Sequence, residues 1–187
     1  QVVDGWEKFA RYLLENKKIN VFVTGSSSKL LDSEYSTVLA GRHLDLTVYP
    51  LSFKEYLFFN GIEVKTALDI SSKRHSIKKV FSEFLQWGGF PKVALLSNES
   101  DKKELLETYF RDIIMKDAIK RYHIKEIDKF EELAKYYLTN VSTLQSFNRV
   151  KSAVNLSLDT VERFSAYLSF VYLISFASKF SYSKKQQ

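Results

Sequence analysis

A short turn near the amino terminus carries the residue types that phosphate chemistry requires. Ile19 to Val23 is an apolar run of β-branched and aromatic residues, and Thr24-Gly25-Ser26-Ser27-Ser28 follows it. Such a run is typical of a strand that is buried on both faces in a parallel sheet. Hydroxyls and backbone amides at the carboxyl end of that strand could contact phosphate oxygens where a helix begins. The alternative is a capped strand-to-helix turn that binds no ligand.

A second set of candidate residues is basic and lies in the last quarter of the chain. From Asn140 onward, six basic and two acidic residues contribute +4 of the net charge of +6. This surplus favours an anionic partner, nucleic acid first, and ordinary solvated surface is the alternative. The basic residues are Arg149, Lys151, Arg163, Lys179, Lys184 and Lys185, and the acidic ones are Asp159 and Glu162.

Two predicted helices in tandem would position these charges. Ser146 can cap a helix over 147–154, and Ser157 can cap a second helix over 158–173. The short turn between them gives the layout of a helix-turn-helix. Residues 174–177 and 180–182 alternate like two strands, so the sequence predicts a winged helix.

The second helix of such a unit would enter the major groove of DNA by its amino-terminal end. Arg163 suits guanine or phosphate there, and Thr160 suits phosphate. The other basic residues (Arg149, Lys151, Lys179, Lys184, Lys185) would neutralise phosphates. Asp159 and Glu162 place negative charge at the same end, which favours a protein partner instead, and both alternatives stay open.

The remaining elements are read from periodicity and capping signals. We predict helices over 6–16, 27–39, 53–59, 77–86, 91–96, 101–120 and 127–138, and strands over 19–23 and 44–48. Ser52 and Glu55 form a capping box. Residues 62–76 are interpreted as a loop or linker. Asp112 and Asp117 are better explained by a solvated ion-pair face than by a paired-carboxylate site, because five residues apart is a poor fit to one helix face.

The composition excludes several classes of protein. Hydrophobic residues make up 45% and aromatic residues 15% of the 187 residues, enough for the core of one domain or two small ones. There is no cysteine, and His43, His75 and His123 lack metal-binding spacing. Neither a signal peptide nor a membrane-spanning run is found. We therefore expect a cytoplasmic protein without a metal site or a membrane partner.

Several segments together resemble one family. They are V-F-V-T-G-S-S-S-K-L-L at 21–31, L-A-G-R at 39–42, V-Y-P-L-S-F-K-E-Y at 48–56, W-G-G-F-P at 87–91 and Y-F-R-D-I-I at 109–114. In this order they resemble prokaryotic, largely archaeal, P-loop ATPases related to the AAA class. The resemblance covers most of the chain. It implies a nucleotide-binding domain followed by a helical segment and a winged-helix domain.

The resemblance also implies roles for three residues. Ser26 and Ser27 match the polar sensor that contacts the attacking water or the γ-phosphate. Arg42 matches an arginine that reaches a phosphate of a neighbouring subunit, where its planar, permanently charged fork stabilises phosphoryl charge. The alternative for Arg42 is a structural one, in which it caps helix carbonyls or pairs with Asp45.

The chain departs from this family in its phosphate-binding residues. The loop G-x-x-x-x-G-K-[ST] does not occur, and the acidic pair that holds magnesium would precede Trp6. We therefore expect ATP and Mg²⁺ to be bound by the intact protein, and neither to be bound by this chain. The chain itself is expected to lack ATPase activity.

The predicted fold class is an α/β remnant of a P-loop ATPase domain followed by a mainly helical part and a winged helix. The predicted domains are the ATPase core over 1–61, a linker and helical lid over 62–125, and the winged helix over 126–187. The predicted function of the intact protein is to couple ATP binding and hydrolysis to recognition of duplex DNA or a protein partner. The alternative is a non-enzymatic winged-helix module. Strand edges without neighbours also predict a homo-oligomer.

Overall fold

The computed structural model of the protein describes residues 6–17, 19–25, 44 and 46–178. These residues are mostly helical, and no strand occurs among them. They divide into two compact units, one over Leu46–Arg111 and the other over the described residues before and after it. The helices are α1 Trp6–Lys17, α2 Phe53–Phe59, α3 Ala67–Ser72, α4 Arg74–Trp87, α5 Pro91–Ala94, α6 Glu99–Asp112, a π-helix Ile113–Ile119, α7 Lys120–Tyr122, α8 Ile127–Thr139, α9 Phe147–Val154 and α10 Leu158–Phe170.

The helix predictions that fall on described residues are confirmed, with small shifts at the ends. The predicted helix over 101–120 is continuous from 99 to 122, but its middle is a π-helix, in which each turn holds one residue more. The predicted helix over 27–39 lies outside the described residues.

The interpretation of 62–76 as a loop is wrong at 67–72 and from 74 onward, where α3 and α4 lie. A capping box starts α3: Asp69 N–H donates to the Thr66 hydroxyl, and Thr66 N–H donates to the Asp69 carboxylate at 2.8 Å. Hydrogen bonds from Thr66 N–H and Lys65 N–H also hold the pKa of Asp69 below its ordinary value. This local signal outweighs the weak apolar period of the segment.

The two strand predictions are wrong for the residues that the structure describes. Residues 19–25, 44 and 46–49 have irregular backbone. Phe22 is 90% exposed and Leu44 is 99% exposed, so these apolar side chains do not contribute to a core. A strand forms only when its backbone pairs with a neighbour, and β propensity alone does not supply that partner.

The core of the unit over Leu46–Arg111 forms where α2 packs against α4. Ser52 caps α2 in the predicted capping box with Glu55, and its hydrogen bonds lower the pKa of the Glu55 carboxyl. Tyr56 and Leu57 are buried against Val80 of α4. The residues packed around them are Leu51, Phe53, Ile62, Val64, Ile77, Phe84 and Ala94.

A close backbone contact joins the segment before α2 to the turn after α4. Leu51 N–H donates to the carbonyl of Gly89 at 2.7 Å. A Cβ atom at Gly89 would lie 2.3 Å from the Leu51 carbonyl oxygen, so only glycine fits. Gly88, with φ of +74°, ends α4, and Pro91 begins α5.

The same unit buries one lysine. Lys102 of α6 is 7% exposed, and its ammonium lies 5.6 Å from the centre of the Trp87 ring. An indole face attracts a cation through its quadrupole, which offsets part of the cost of burying the charge.

Replacing Gly89 with alanine should destabilise this unit. The added Cβ collides with the Leu51 backbone, and such overpacking costs about 1–3 kcal/mol of unfolding free energy. Urea unfolding followed by circular dichroism measures the change. Gly61→Ala serves as a comparison, because nothing lies within 4 Å of its added Cβ and its φ of +72° measures backbone strain without a collision. A Gly89 variant as stable as the unsubstituted protein would contradict the collision.

Candidate nucleic-acid interface

Three helices near the carboxyl end pack against one another, since α8, α9 and α10 are in mutual contact. Phe130 of α8 and Phe164 of α10 meet edge to face with ring centres 5.1 Å apart. These helices bury Phe130, Leu133, Ala134, Tyr137, Val150, Val154, Val161, Phe164 and Leu168. The apolar period that predicted the three helices is therefore also the pattern of their core.

The turn between α9 and α10 has the predicted length and capping. Ser146 caps α9 and Ser157 caps α10, each accepting from the backbone N–H three residues on. Asn155 ends α9 in the left-handed conformation with φ of +50°, which asparagine tolerates better than most residues. Residues 146–170 thus have two capped helices joined by a three-residue turn.

A buried hydrogen bond joins α8 to α10. The Tyr137 and Ser165 hydroxyl oxygens are 2.7 Å apart, and both side chains are buried. Burial raises the pKa of the Tyr137 phenol, so this group stays protonated at neutral pH and can donate. A polar pair inside an apolar core fixes the register of the two helices, because either partner alone would be left unsatisfied.

Arg149 and Lys151 of α9 lie where they could contact phosphates. Arg149 is exposed and Lys151 is half-buried, and neither takes part in an ion pair with a described residue. Three lysines of other helices differ, because each is bonded to an acid. These pairs are Lys116–Asp112 at 2.9 Å, Lys129–Glu132 at 2.8 Å and Lys135–Glu131 at 3.3 Å.

The outward face of α10 has mixed charge. Asp159, Glu162 and Arg163 are exposed, so acids outnumber the base. The Arg163 guanidinium lies 5.5 Å from the centre of the Phe164 ring. Thr160 is half-buried, and its hydroxyl oxygen accepts a hydrogen bond from the Ser157 hydroxyl at 2.8 Å. Thr160 therefore takes part in capping α10, which the prediction of a phosphate contact did not anticipate.

The predicted wing is not found in the described residues. Residues 174–178 have irregular backbone, so the strand prediction over 174–177 is wrong. Phe176 is instead held by its ring contacts with Tyr137 at 5.4 Å and Phe147 at 5.9 Å, which need no strand partner. The second wing strand and the residues Lys179, Lys184 and Lys185 lie outside the described residues.

The candidate sensor residues Ser26 and Ser27 and the candidate finger Arg42 also lie outside the described residues. Asp112 bonds to Lys116, as expected of an ion-pair face. Where side chains are described, no group of acidic residues and histidines could hold a metal ion. Among the helices that the structure describes, none has the length and apolar character that crossing a bilayer requires.

A second basic cluster was missed by the sequence reasoning. Lys73, Arg74, Lys78 and Lys79 lie at and after the start of α4, and all are exposed. The signal was present as the run K-R-H-S-I-K-K at 73–79. Part of the run falls in the segment interpreted as a linker, so the sequence alone does not place its charges on one face of a helix.

Comparison with known families assigns most of the chain. Residues 78–187 match the family model described as Domain of unknown function (DUF8612). The chain belongs to this family. Residues 1–57 match the model of an AAA domain, so the amino-terminal segment is AAA-related. No solved structure matches the chain.

The curated relatives are uncharacterized proteins. Uncharacterized protein MJ1544 of Methanocaldococcus jannaschii is 34% identical over 190 residues, which cover 99% of this chain and 43% of that protein. An uncharacterized protein of Haemophilus influenzae is 29% identical over 154 residues, covering 82% of this chain and 36% of that protein. The chain thus spans less than half the length of these relatives, one archaeal and one bacterial.

A double-mutant cycle tests whether the Tyr137–Ser165 bond fixes the three helices. Tyr137→Phe and Ser165→Ala should each lower the unfolding free energy by about 1–3 kcal/mol, because each leaves the other hydroxyl buried and unpaired. The double variant should lose less than the sum of the two. Tyr136→Phe is the control, since the Tyr136 hydroxyl is only half-buried and lies 3.4 Å from Gln145. Additive losses would show that the two hydroxyls do not interact.

Proposed function

We propose that the intact protein is an AAA-related ATPase that couples ATP binding and hydrolysis to recognition of a partner through α8, α9 and α10. The observation that carries this proposal is the combination on one chain of an AAA-related segment over 1–57 with a capped pair of tandem helices over 146–170. A protein that joins an AAA-related segment to packed helices with exposed charges is suited to act on a bound macromolecule. A cytoplasmic location is part of the proposal.

The nucleotide chemistry is assigned to three side chains of this chain acting with the rest of the intact protein. Ser26, Ser27 and Arg42 are two hydroxyls and one guanidinium, and this donor set suits phosphate oxygens. ATP with Mg²⁺ supplies the transferable phosphoryl group when it is bound. Ser26 and Ser27 would donate hydrogen bonds at the phosphate, and Arg42 would neutralise charge in a neighbouring subunit, which implies a homo-oligomer.

The partner proposed first is duplex DNA. Arg149 and Lys151 are cations without an ion pair among the described residues, and Arg163 lies near the start of α10. These residues suit contacts with the phosphate backbone, which position a protein on DNA and make binding depend on salt.

A protein partner is the second candidate, and the charge of α10 favours it. Asp159 and Glu162 are exposed on its outward face and would repel phosphates. A non-enzymatic module that uses the same helices is the corresponding alternative to the ATPase.

The ATPase proposal is tested on the full-length protein that carries this chain. We expect Mg²⁺-dependent ATP hydrolysis, and Arg42→Ala should lower kcat by about 10³-fold or more, the effect of losing an arginine finger. ATP affinity, measured by calorimetry, should change little. Arg11→Ala is the control, because Arg11 is exposed and pairs with Glu15 at 3.0 Å. A full-length protein that neither binds nor hydrolyses ATP would refute the proposal, and an unchanged rate in the Arg42 variant would refute the finger.

The DNA proposal is tested by removing two cations from the helix pair. In the full-length protein, Arg149→Ala with Arg163→Ala should weaken duplex binding by about 10-fold and reduce the slope of log affinity against log salt by about 2. Fluorescence anisotropy at several salt concentrations measures both. Lys116→Ala with Lys135→Ala removes the same charge from lysines already paired with acids and should have a smaller effect. Affinity that ignores salt, or that survives loss of Arg149 and Arg163, would exclude direct DNA contact here.

A further inference from the structure

Helix α4 exposes the densest basic cluster in the unit over Leu46–Arg111. Between Ser71 and Lys79 there are four Lys or Arg residues and one histidine, and no acidic residue. All five side chains are exposed. We name the set Lys73, Arg74, His75, Lys78 and Lys79 the α4 basic surface.

The geometry of the helix gathers these side chains on its solvent side. Ile77, Val80 and Phe84 point into the core with α2 and define the buried side. At 3.6 residues per turn, the basic residues of α4 occupy an arc of about 140° on the other side. Ser82, Leu85 and Gln86 continue this arc toward the carboxyl end, and none of them is charged. The arc therefore presents cations without an acid between them.

Two of the three nearby acids are engaged elsewhere. Glu63 bonds to Lys65 at 2.8 Å, and Asp69 accepts the hydrogen bonds that start α3. Glu83 follows Lys79 by one turn at the border of the arc, and no ion pair links it to a described residue. Lys73 donates to the Glu63 carbonyl at 2.8 Å, which holds its ammonium at the edge of the surface.

Polar groups converge at the start of α4. An open surface depression is lined by Ser71, Ser72, Arg74, His75 and Lys78. The two serine hydroxyls donate to carbonyls of α3, at 3.4 and 3.2 Å, and so brace its last turn beside the cations. No side chain caps the start of α4, so the positive end of its dipole adds to the field of the side chains.

We propose that the α4 basic surface binds the phosphodiester backbone of a nucleic acid. Exposed lysines and arginines along one helix face match a row of phosphates in charge, and such contacts carry no sequence preference. The outward face of α10 carries two acids and one arginine, so α4 suits a polyanion better than the helix that the helix-turn-helix layout singles out. The inference does not depend on ATP hydrolysis, and it adds a nucleic-acid contact on α4 to the one proposed for α8, α9 and α10.

The test uses the full-length protein and two labelled oligonucleotides of about 20 nucleotides, one duplex and one single strand. Both forms are tested because both present the same phosphates. The variant Arg74→Gln/Lys78→Gln/Lys79→Gln should lose about 10-fold or more in affinity, and its salt slope should fall by about 2–3. The probe whose affinity falls further identifies which form the surface binds, and either result supports the proposal. An unchanged thermal midpoint shows that the variant is folded.

Two matched variants separate a local surface from overall charge. Lys54→Gln/Lys92→Gln/Lys103→Gln removes three exposed cations from the same unit outside the arc, and its affinity should change less than threefold. Arg74→Lys/Lys78→Arg/Lys79→Arg keeps every charge and should retain binding. Equal losses in the two charge-removing variants would overturn the proposal.

Two further outcomes would also overturn it. One is unchanged affinity in the α4 variant while Arg149→Ala with Arg163→Ala abolishes binding. That result would show that only α9 and α10 contact the nucleic acid. The other is displacement of the oligonucleotide by polyglutamate of equal charge as effectively as by unlabelled oligonucleotide, which would assign the surface to an acidic protein.

Discussion

The close approach of two backbone segments, at Leu51 and Gly89, is the constraint on which the unit over Leu46–Arg111 depends. The 2.7 Å hydrogen bond between them leaves no space for a side chain at Gly89. It fixes the start of α2 beside the end of α4, and in that position Tyr56 is buried against Val80. The segments V-Y-P-L-S-F and W-G-G-F-P, which carry part of the resemblance to P-loop ATPases, are therefore two halves of one packing contact. Their glycines are explained by backbone geometry without any ligand.

Elements with local signals were predictable, and elements that need a distant partner were not. Ser52 with Glu55, Ser146 and Ser157 each mark a helix start that the structure confirms. Such caps are set by residues three apart and need no tertiary context. The run Ile19 to Val23 has the composition of a strand, but strand formation depends on a neighbour that propensity cannot supply. The sequence also did not predict the π-helix over Ile113–Ile119, because a search for apolar residues with a period of 3.6 does not detect a wider helical turn.

The residue types of the candidate site could be predicted from the sequence, but which of its side chains share one face of a helix could not. Counting charges led to Arg149 and Arg163, and both are exposed. The count could not show that Asp159 and Glu162 share the outward face of α10, or that Thr160 is engaged with Ser157. The basic run at 73–79 became meaningful only when the bounds of α4 placed its cations on one side. Charged residues can be assigned to one face of a helix only after the bounds of that helix are known.

The buried Lys102 beside Trp87 gives the protein an optical reporter. The chain has two tryptophans, and Trp6 lies in the other unit. The Lys102 ammonium lies 5.6 Å from the centre of the indole ring, so the electric field at Trp87 changes when the two side chains separate, and we expect its emission to change as well. With Trp6 replaced by phenylalanine, the emission of Trp87 would report the opening of one unit alone. The fluorescence of a single side chain could then follow that unit in real time while nucleotide or oligonucleotide is added.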